Sequence, residues 1–264
     1  MVNILQRNNV RVVGKGKTQL VFAHGFGCDQ NVWRHLVEAF REEYTCILFD
    51  YVGAGGSDLS AYSSEKYNSL DGYARDLLEV CEALNLEKPV LIGHSVSCMI
   101  GVRADVLQPG YFSQMIFVTP SPSYINEGDY VGGMEKGDLD DLLSMMDTNY
   151  LGWSSTIAPL VMGNQDRPEL GDELTANFCS TDPNIARDFA KVTFLSDSRK
   201  DLSLLSVPSL TLQCSDDMLV PMPIGDFIET TAPNNTRVVL DATGHCPHLS
   251  APQETISAIR NYLA

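Results

Sequence analysis

A serine hydroxyl becomes a useful nucleophile only when the backbone lifts it clear of its neighbours and a base stands within hydrogen-bond reach. Ser95 is placed for both. It lies in Gly93-His94-Ser95-Val96-Ser97, directly after the apolar run 89–92 and directly before a helical pattern. A sharp turn from a buried strand into a helix strains its central residue and leaves room only for small side chains on its inner side. Gly93 meets that demand, and Ser97 is small enough to stand where a glycine is usual, although the strict G-x-S-x-G pattern is not kept.

Five histidines could supply the base. His24 and His94 flank turns, and His35 sits in a helical pattern beside Trp33. His245 and His248 remain, in Ala242-Thr243-Gly244-His245-Cys246-Pro247-His248. His245 follows a strand and a glycine, on a loop able to swing over the sheet edge, and is the candidate base. His248, just ahead of the last helix, reads as structural. The acid that orients the base should follow the strand at 209–212, where Asp216 and Asp217 are placed equally well by spacing. His24-Gly25-Phe26-Gly27 follows the strand at 20–23, so the backbone N–H groups of Phe26 and Val96 could converge on a developing oxyanion. One such donor is typically worth ~3 kcal/mol. The glycine-rich turn Gly53-Ala54-Gly55-Gly56 lacks the G-x-G-x-x-G spacing, which argues against a dinucleotide cofactor.

These residues need a scaffold that brings distant turns together. Strand patterns at 10–13, 20–23, 46–49, 90–92, 115–118, 209–212 and 237–240 alternate with helical ones, which predicts a mostly parallel sheet covered by helices on both faces. One helix begins after Ser69, a capping residue, with Leu70, Tyr73, Ala74, Leu77, Cys81 and Leu84 at helical spacing. The last follows Pro252 and carries Ile256, Ile259 and Leu263. From about 120 to 199 the strand rhythm stops, and amphipathic helical patterns take over, with breaks expected at Gly152, at 163–168 and at Asp182-Pro183. An insertion between adjacent strands reads as a lid over their carboxyl ends, where such sheets place their sites.

With 264 residues, 44% of them hydrophobic, the chain can bury one large core. A formal net charge of −16 without a basic cluster argues against nucleic acid and anionic membranes as partners. No apolar run approaches the ~20 residues of a membrane span, and the first seven residues do not read as a secretion signal. The seven scattered cysteines lack metal-ligand spacing, and Cys28, Cys46, Cys98 and Cys214 read as buried thiols of a cytoplasmic protein. Glu127, Asp129, Glu135, Asp138, Asp140, Asp141 and Asp147 face only Lys136 in their segment. They read as a solvated helix face, with a partner-docking surface as the sharper alternative.

The chain order Ser…Asp…His is that of the α/β-hydrolases. Over nearly its whole length the sequence resembles one branch of them, which contains the bacterial energy-stress regulator RsbQ and the plant karrikin and strigolactone receptors. The resemblance runs through Phe22-Ala23-His24-Gly25-Phe26-Gly27-Cys28-Asp29-Gln30, Phe49-Asp50-Tyr51-Val52-Gly53, Ser121-Pro122-Ser123-Tyr124, Asn149-Tyr150-Leu151-Gly152-Trp153 and Phe178-Cys179-Ser180-Thr181-Asp182-Pro183. The last two favour the RsbQ side, whereas Ser97 and His24 are closer to the plant receptors. The resemblance selects Asp217 and His245 as partners of Ser95. It implies a hydrolase core at 1–120 and 200–264 and a four-helix lid at 121–199. It also implies a deep apolar pocket lined by Phe26, Val96, Met134, Leu142, Trp153, Ile157, Phe194, Met218 and Leu219. A cofactor-free, metal-free serine hydrolase of small apolar esters or lactones follows, sensing a small hydrophobic ligand and acting, in the RsbQ branch, on a PAS-domain phosphatase; a monomer is the default expectation.

Overall fold

The computed structural model describes residues 3–264; Met1 and Val2, the start of the stretch read as no secretion signal, lie outside the described residues. The strands are β1 (Arg11–Gly14), β2 (Gln19–Ala23), β3 (Thr45–Leu48), β4 (Val90–His94), β5 (Gln114–Val118), β6 (Ser209–Asp216) and β7 (Asn235–Thr243). All seven strand patterns of the sequence are therefore realised, with ends shifted by a few residues. They form one sheet in the order β1-β3-β2-β4-β5-β6-β7, parallel except for the edge strand β1, which runs antiparallel to β3. All five residues of β4 are buried, the mark of a strand covered on both faces.

The helices are α1 (Ile4–Arg7), α2 (Arg34–Phe40), α3 (Leu70–Ala83), α4 (Val96–Leu107), α5 (Lys136–Thr148), α6 (Tyr150–Met162), α7 (Pro168–Ser180), α8 (Pro183–Leu195), α9 (Arg199–Leu202), α10 (Met222–Thr231), α11 (Pro247–Ser250) and α12 (Pro252–Leu263). None among the described residues is long and apolar enough to cross a membrane. Ser69 holds the N-cap position of α3, but its side chain makes no capping bond.

Two features of this topology position the site. The strand order reverses at β2, flanked by β3 on one side and β4 on the other, so the turns leaving β2 and β4 open beside each other. The long excursion α5 to α9 leaves from β5 and returns to its neighbour β6, as expected. The expected break at Gly152 is absent. α6 starts at Tyr150 and runs through it, because the Asn149 side chain caps the helix by accepting the Gly152 N–H at 3.0 Å. The other two breaks stand, and Asp182 caps α8 through the amides of Asn184 and Ile185.

The inserted helices are fastened to the sheet domain mainly by aromatic packing. Phe26, in the turn after β2, meets Trp153, Phe178, Phe189 and Phe194 with ring centroids 5.4–6.3 Å apart. An Arg34–Glu173 ion pair and a hydrogen bond from the Tyr62 hydroxyl to Asp188 add polar ties at the rim. Exposed pairs of this kind contribute about 1 kcal/mol or less, so the ring cluster dominates.

Candidate active site

Ser95 sits at the N-cap of α4 with φ 56° and ψ −123°, a left-handed backbone that costs about 1–3 kcal/mol. The surroundings hold it there. Its N–H donates to Val118 O on β5 at 2.9 Å, and its carbonyl accepts the Cys98 N–H at 3.0 Å. A Cβ on Gly93 would come within 2.9 Å of the Ser97 backbone, so the turn closes only around glycine. Ser97 does more than stay small. It is fully buried, and its hydroxyl lies against the His24 carbonyl and 3.1 Å from the Tyr51 hydroxyl, tying the turn after β4 to the one after β2.

His245 arrives from β7 through Gly244, whose φ is 88° and whose Cβ would stand 1.8 Å from Met162 O. Only glycine fits that contact. The Gly244 N–H donates to Asp216 O at 2.7 Å, and the His245 N–H donates to Val161 O, near the end of α6, at 2.9 Å. The side chains then meet. His245 Nε2 is 2.8 Å from Ser95 Oγ, and His245 Nδ1 is 2.7 Å from Asp217 Oδ2. Asp217 also accepts the Leu219 N–H on Oδ1 at 2.9 Å. Burial pushes the Asp217 carboxyl up, but His245 and the backbone donors outweigh it and hold the group below the usual carboxylate range. Asp216 is exposed on the strand, so of the two acids left open by spacing the structure brings Asp217 to the ring.

The remaining histidines are occupied otherwise. The ring of His24 lies between the Tyr51 N–H, 3.2 Å from Nε2, and the Gly25 carbonyl, 2.9 Å from Nδ1, bracing its turn. His248 is buried against Trp33 with ring centroids 4.6 Å apart, and burial drives its pKa far down. His35 is exposed on α2.

The turn after β2 touches the serine: a Cβ on Gly25 would be 3.3 Å from Ser95 Cβ. Among the described residues, neither the Phe26 nor the Val96 amide is taken by a backbone acceptor. Against the serine lies a narrow cavity lined largely by aromatic and aliphatic groups. Phe26, Trp153, Ile157, Phe194 and Leu219 line it. Four expectations are corrected. Met218 is 52% exposed; Met134 pairs through its backbone with the segment at Tyr124 and Ile125; Leu142 packs partly buried on the core. None of these three lines the cavity, and Val96 is buried at the start of α4 rather than in the wall. Tyr124, Val161, Leu174, Phe178, Thr193, Cys28 and Cys246 line it instead, unassigned to the pocket from sequence. Tyr124 is the notable omission, with its hydroxyl 3.5 Å from Ser95 Oγ.

Residues 20–258 match the alpha/beta hydrolase family. The chain belongs to that family. It is 38% identical over 256 residues to Karrikin insensitive 2 receptor IA of Petunia hybrida, covering 97% of this chain and 93% of the relative. It is 36% identical over 262 residues to Strigolactone esterase D14 of Arabidopsis thaliana, covering 99% and 98%. A solved hydrolase from Oleispira antarctica superposes with a TM-score of 0.96 at 41% identity, covering 98% of this chain and 96% of that one.

Proposed function

We propose that this alpha/beta hydrolase cleaves small, neutral, apolar esters or lactones through an acyl-serine intermediate. The observation that carries the reading is the unbroken Asp217–His245–Ser95 hydrogen-bond chain, 2.7 and 2.8 Å long, at the floor of an apolar cavity. Ser95 Oγ attacks the carbonyl carbon while His245 Nε2 takes its proton. Asp217 keeps the ring's hydrogen on Nδ1 and steadies the imidazolium. The Phe26 and Val96 amides receive the oxyanion. The intermediate then collapses: the C–O bond to the leaving oxygen breaks, and that oxygen takes the proton from His245. Water, deprotonated by the same imidazole, releases the acid and restores Ser95. Residues 121–199 act as the lid, and the absence of Arg or Lys from the cavity wall among the described residues fits uncharged substrates better than phosphorylated or acyl-CoA ones. Turnover of butenolide and p-nitrophenyl esters tests the reading. Ser95→Ala should abolish it, and undiminished hydrolysis by that variant would end the proposal.

The relatives named as receptors favour a second layer, in which a ligand, slowly hydrolysed, changes the lid and the lid engages a partner. We place that role in the cytoplasm, in a monomer, with a PAS-domain phosphatase as the partner of the RsbQ-like reading. All seven cysteines are free thiols, which suits that compartment. Asp138 and Asp141 on α5 are exposed and form no ion pair among the described residues, whereas Glu127, Asp140 and Asp147 are paired. Single turnover with retained partner activation supports this layer; brisk multiple turnover without partner binding supports a plain esterase.

A further inference from the structure

The side chain of His245 is held by Ser95 and Asp217, but the position of its backbone has a separate cause. Its carbonyl oxygen is approached from two sides. His94 Nε2 lies 2.9 Å away, and Thr119 Oγ1 lies 2.9 Å away. A carbonyl can only accept, so the His94 ring must carry its hydrogen on Nε2. His94 immediately precedes Ser95, and Thr119 immediately follows Val118, whose carbonyl accepts the Ser95 N–H. The two groups that reach the His245 carbonyl thus grow from the same two strand ends that fix the serine.

Both are built at a cost. Thr119 is β-branched yet sits at φ 50°, a region such residues almost never occupy. Its N–H donates to Leu212 O at 2.8 Å, which pins the residue between β5 and β6, and its single hydroxyl hydrogen is shared between His245 O and Val118 O, the latter 2.8 Å away. His94 is 2% exposed, its Nδ1 has no partner among the described residues, and a Cβ on Gly25 would stand 2.5 Å from that atom.

We propose that His94 and Thr119 are positioning residues, which clamp the backbone carbonyl of His245 and so set the distance between the catalytic imidazole and the Ser95 hydroxyl. The clamp closes a loop: Ser95 to His245 through side chains, and His245 back to the residue before Ser95 through its carbonyl. Ring position matters because a displacement of about 1 Å in a reacting group can lower a rate about 100-fold. Burial, then the neighbouring His245, pushes the His94 pKa down to about 3, so the ring stays neutral and keeps a single hydrogen for the carbonyl.

The proposal rests on the serine-hydrolase reading and fails separately from it. If Ser95→Ala still turns over, that reading is wrong; if it does not, the clamp is judged by its own variants. Thr119→Val keeps the shape and removes the hydroxyl, and His94→Leu removes the ring donor. Each should lower kcat on p-nitrophenyl acetate about 10- to 100-fold with KM within about threefold, whereas Thr119→Ser and His94→Gln should recover most of the rate. Equal losses in the Ser and Gln variants, or wild-type kcat in folded Val and Leu variants, would overturn it. A measurement on the unaltered protein guards against variants that fail to fold. Two-bond ¹H–¹⁵N correlation of the imidazoles should find His94 as the Nε2–H tautomer, and finding Nδ1–H there contradicts the clamp outright.

Discussion

Replacing Asp217 by Asn changes one atom in a fully buried side chain, and the geometry says what that atom does. Oδ1 would still accept the Leu219 N–H now made at 2.9 Å, so the loop after β6 should keep its shape. Oδ2, 2.7 Å from His245 Nδ1, would become an NH2 group. A donor there favours the tautomer with a bare Nδ1 and a hydrogen on Nε2, which faces Ser95 Oγ and can no longer take its proton. The imidazolium formed during attack also loses a full negative charge at contact distance. Loss of correct tautomer in such a triad lowers kcat about 10⁴-fold, equivalent to about 5.5 kcal/mol of barrier. The assay is steady-state hydrolysis of p-nitrophenyl acetate, with circular dichroism to confirm folding. Asp216→Asn is the paired control, since that side chain is exposed and should leave kcat within about twofold. An Asp217→Asn enzyme within about threefold of wild type, or equal losses from both variants, would refute the assignment.

Three further outcomes follow from contacts already described. Gly25→Ala would bring a methyl group within 2.5 Å of His94 Nδ1 and 3.3 Å of Ser95 Cβ, and kcat should fall at least about tenfold in the same assay. Ile157→Ala, in the cavity wall, should raise KM for a butyl ester about tenfold, whereas Met218→Ala, at a side chain 52% exposed, should leave KM unchanged. Stability should also carry a pH signature from His94. Its folded pKa is held at about 3 against 6.5 when free, so below about pH 6.5 only the unfolded chain gains the proton. The contribution is fully present above pH 6.5 and is lost as pH falls toward 3. Between pH 7 and pH 5 it amounts to about 2 kcal/mol. Denaturant titrations at both pH values should show this loss in wild type and a shallower one in His94→Gln; parallel curves would contradict it.

The sheet was readable because its strands are short apolar runs between turn residues, and burial on both faces leaves that mark in composition. The serine turn was readable for a related reason: Gly93 and Ser97 are small because the Ser97 backbone lies where a side chain on residue 93 would project. Capping was harder. Gly152 looks like a helix breaker until the Asn149 side chain is seen to cap the turn containing it. The cavity wall was only half legible. Met134 and Leu142 have the same apolar character as Ile157 and Phe194, and which of them faces the serine depends on how α5 to α8 pack, a long-range property absent from local spacing. Tyr124 had a signal, the Ser121-Pro122-Ser123-Tyr124 segment, but nothing local shows that the chain leaving β5 turns back over Ser95. The choice between Asp216 and Asp217 needed either the family resemblance or the structure, since adjacent residues on a strand end point to opposite sides.

Everything proposed for this protein depends on a single hydroxyl being activated by its imidazole neighbour. Brief treatment with phenylmethylsulfonyl fluoride, followed by peptide mass spectrometry, reads that directly. One sulfonyl adduct is expected, on the peptide containing Ser95, with loss of ester hydrolysis in proportion and no adduct in His245→Ala over the same interval. Labelling of Ser97 or another residue with Ser95 unmodified, or full hydrolytic activity in a protein completely labelled at Ser95, would contradict it.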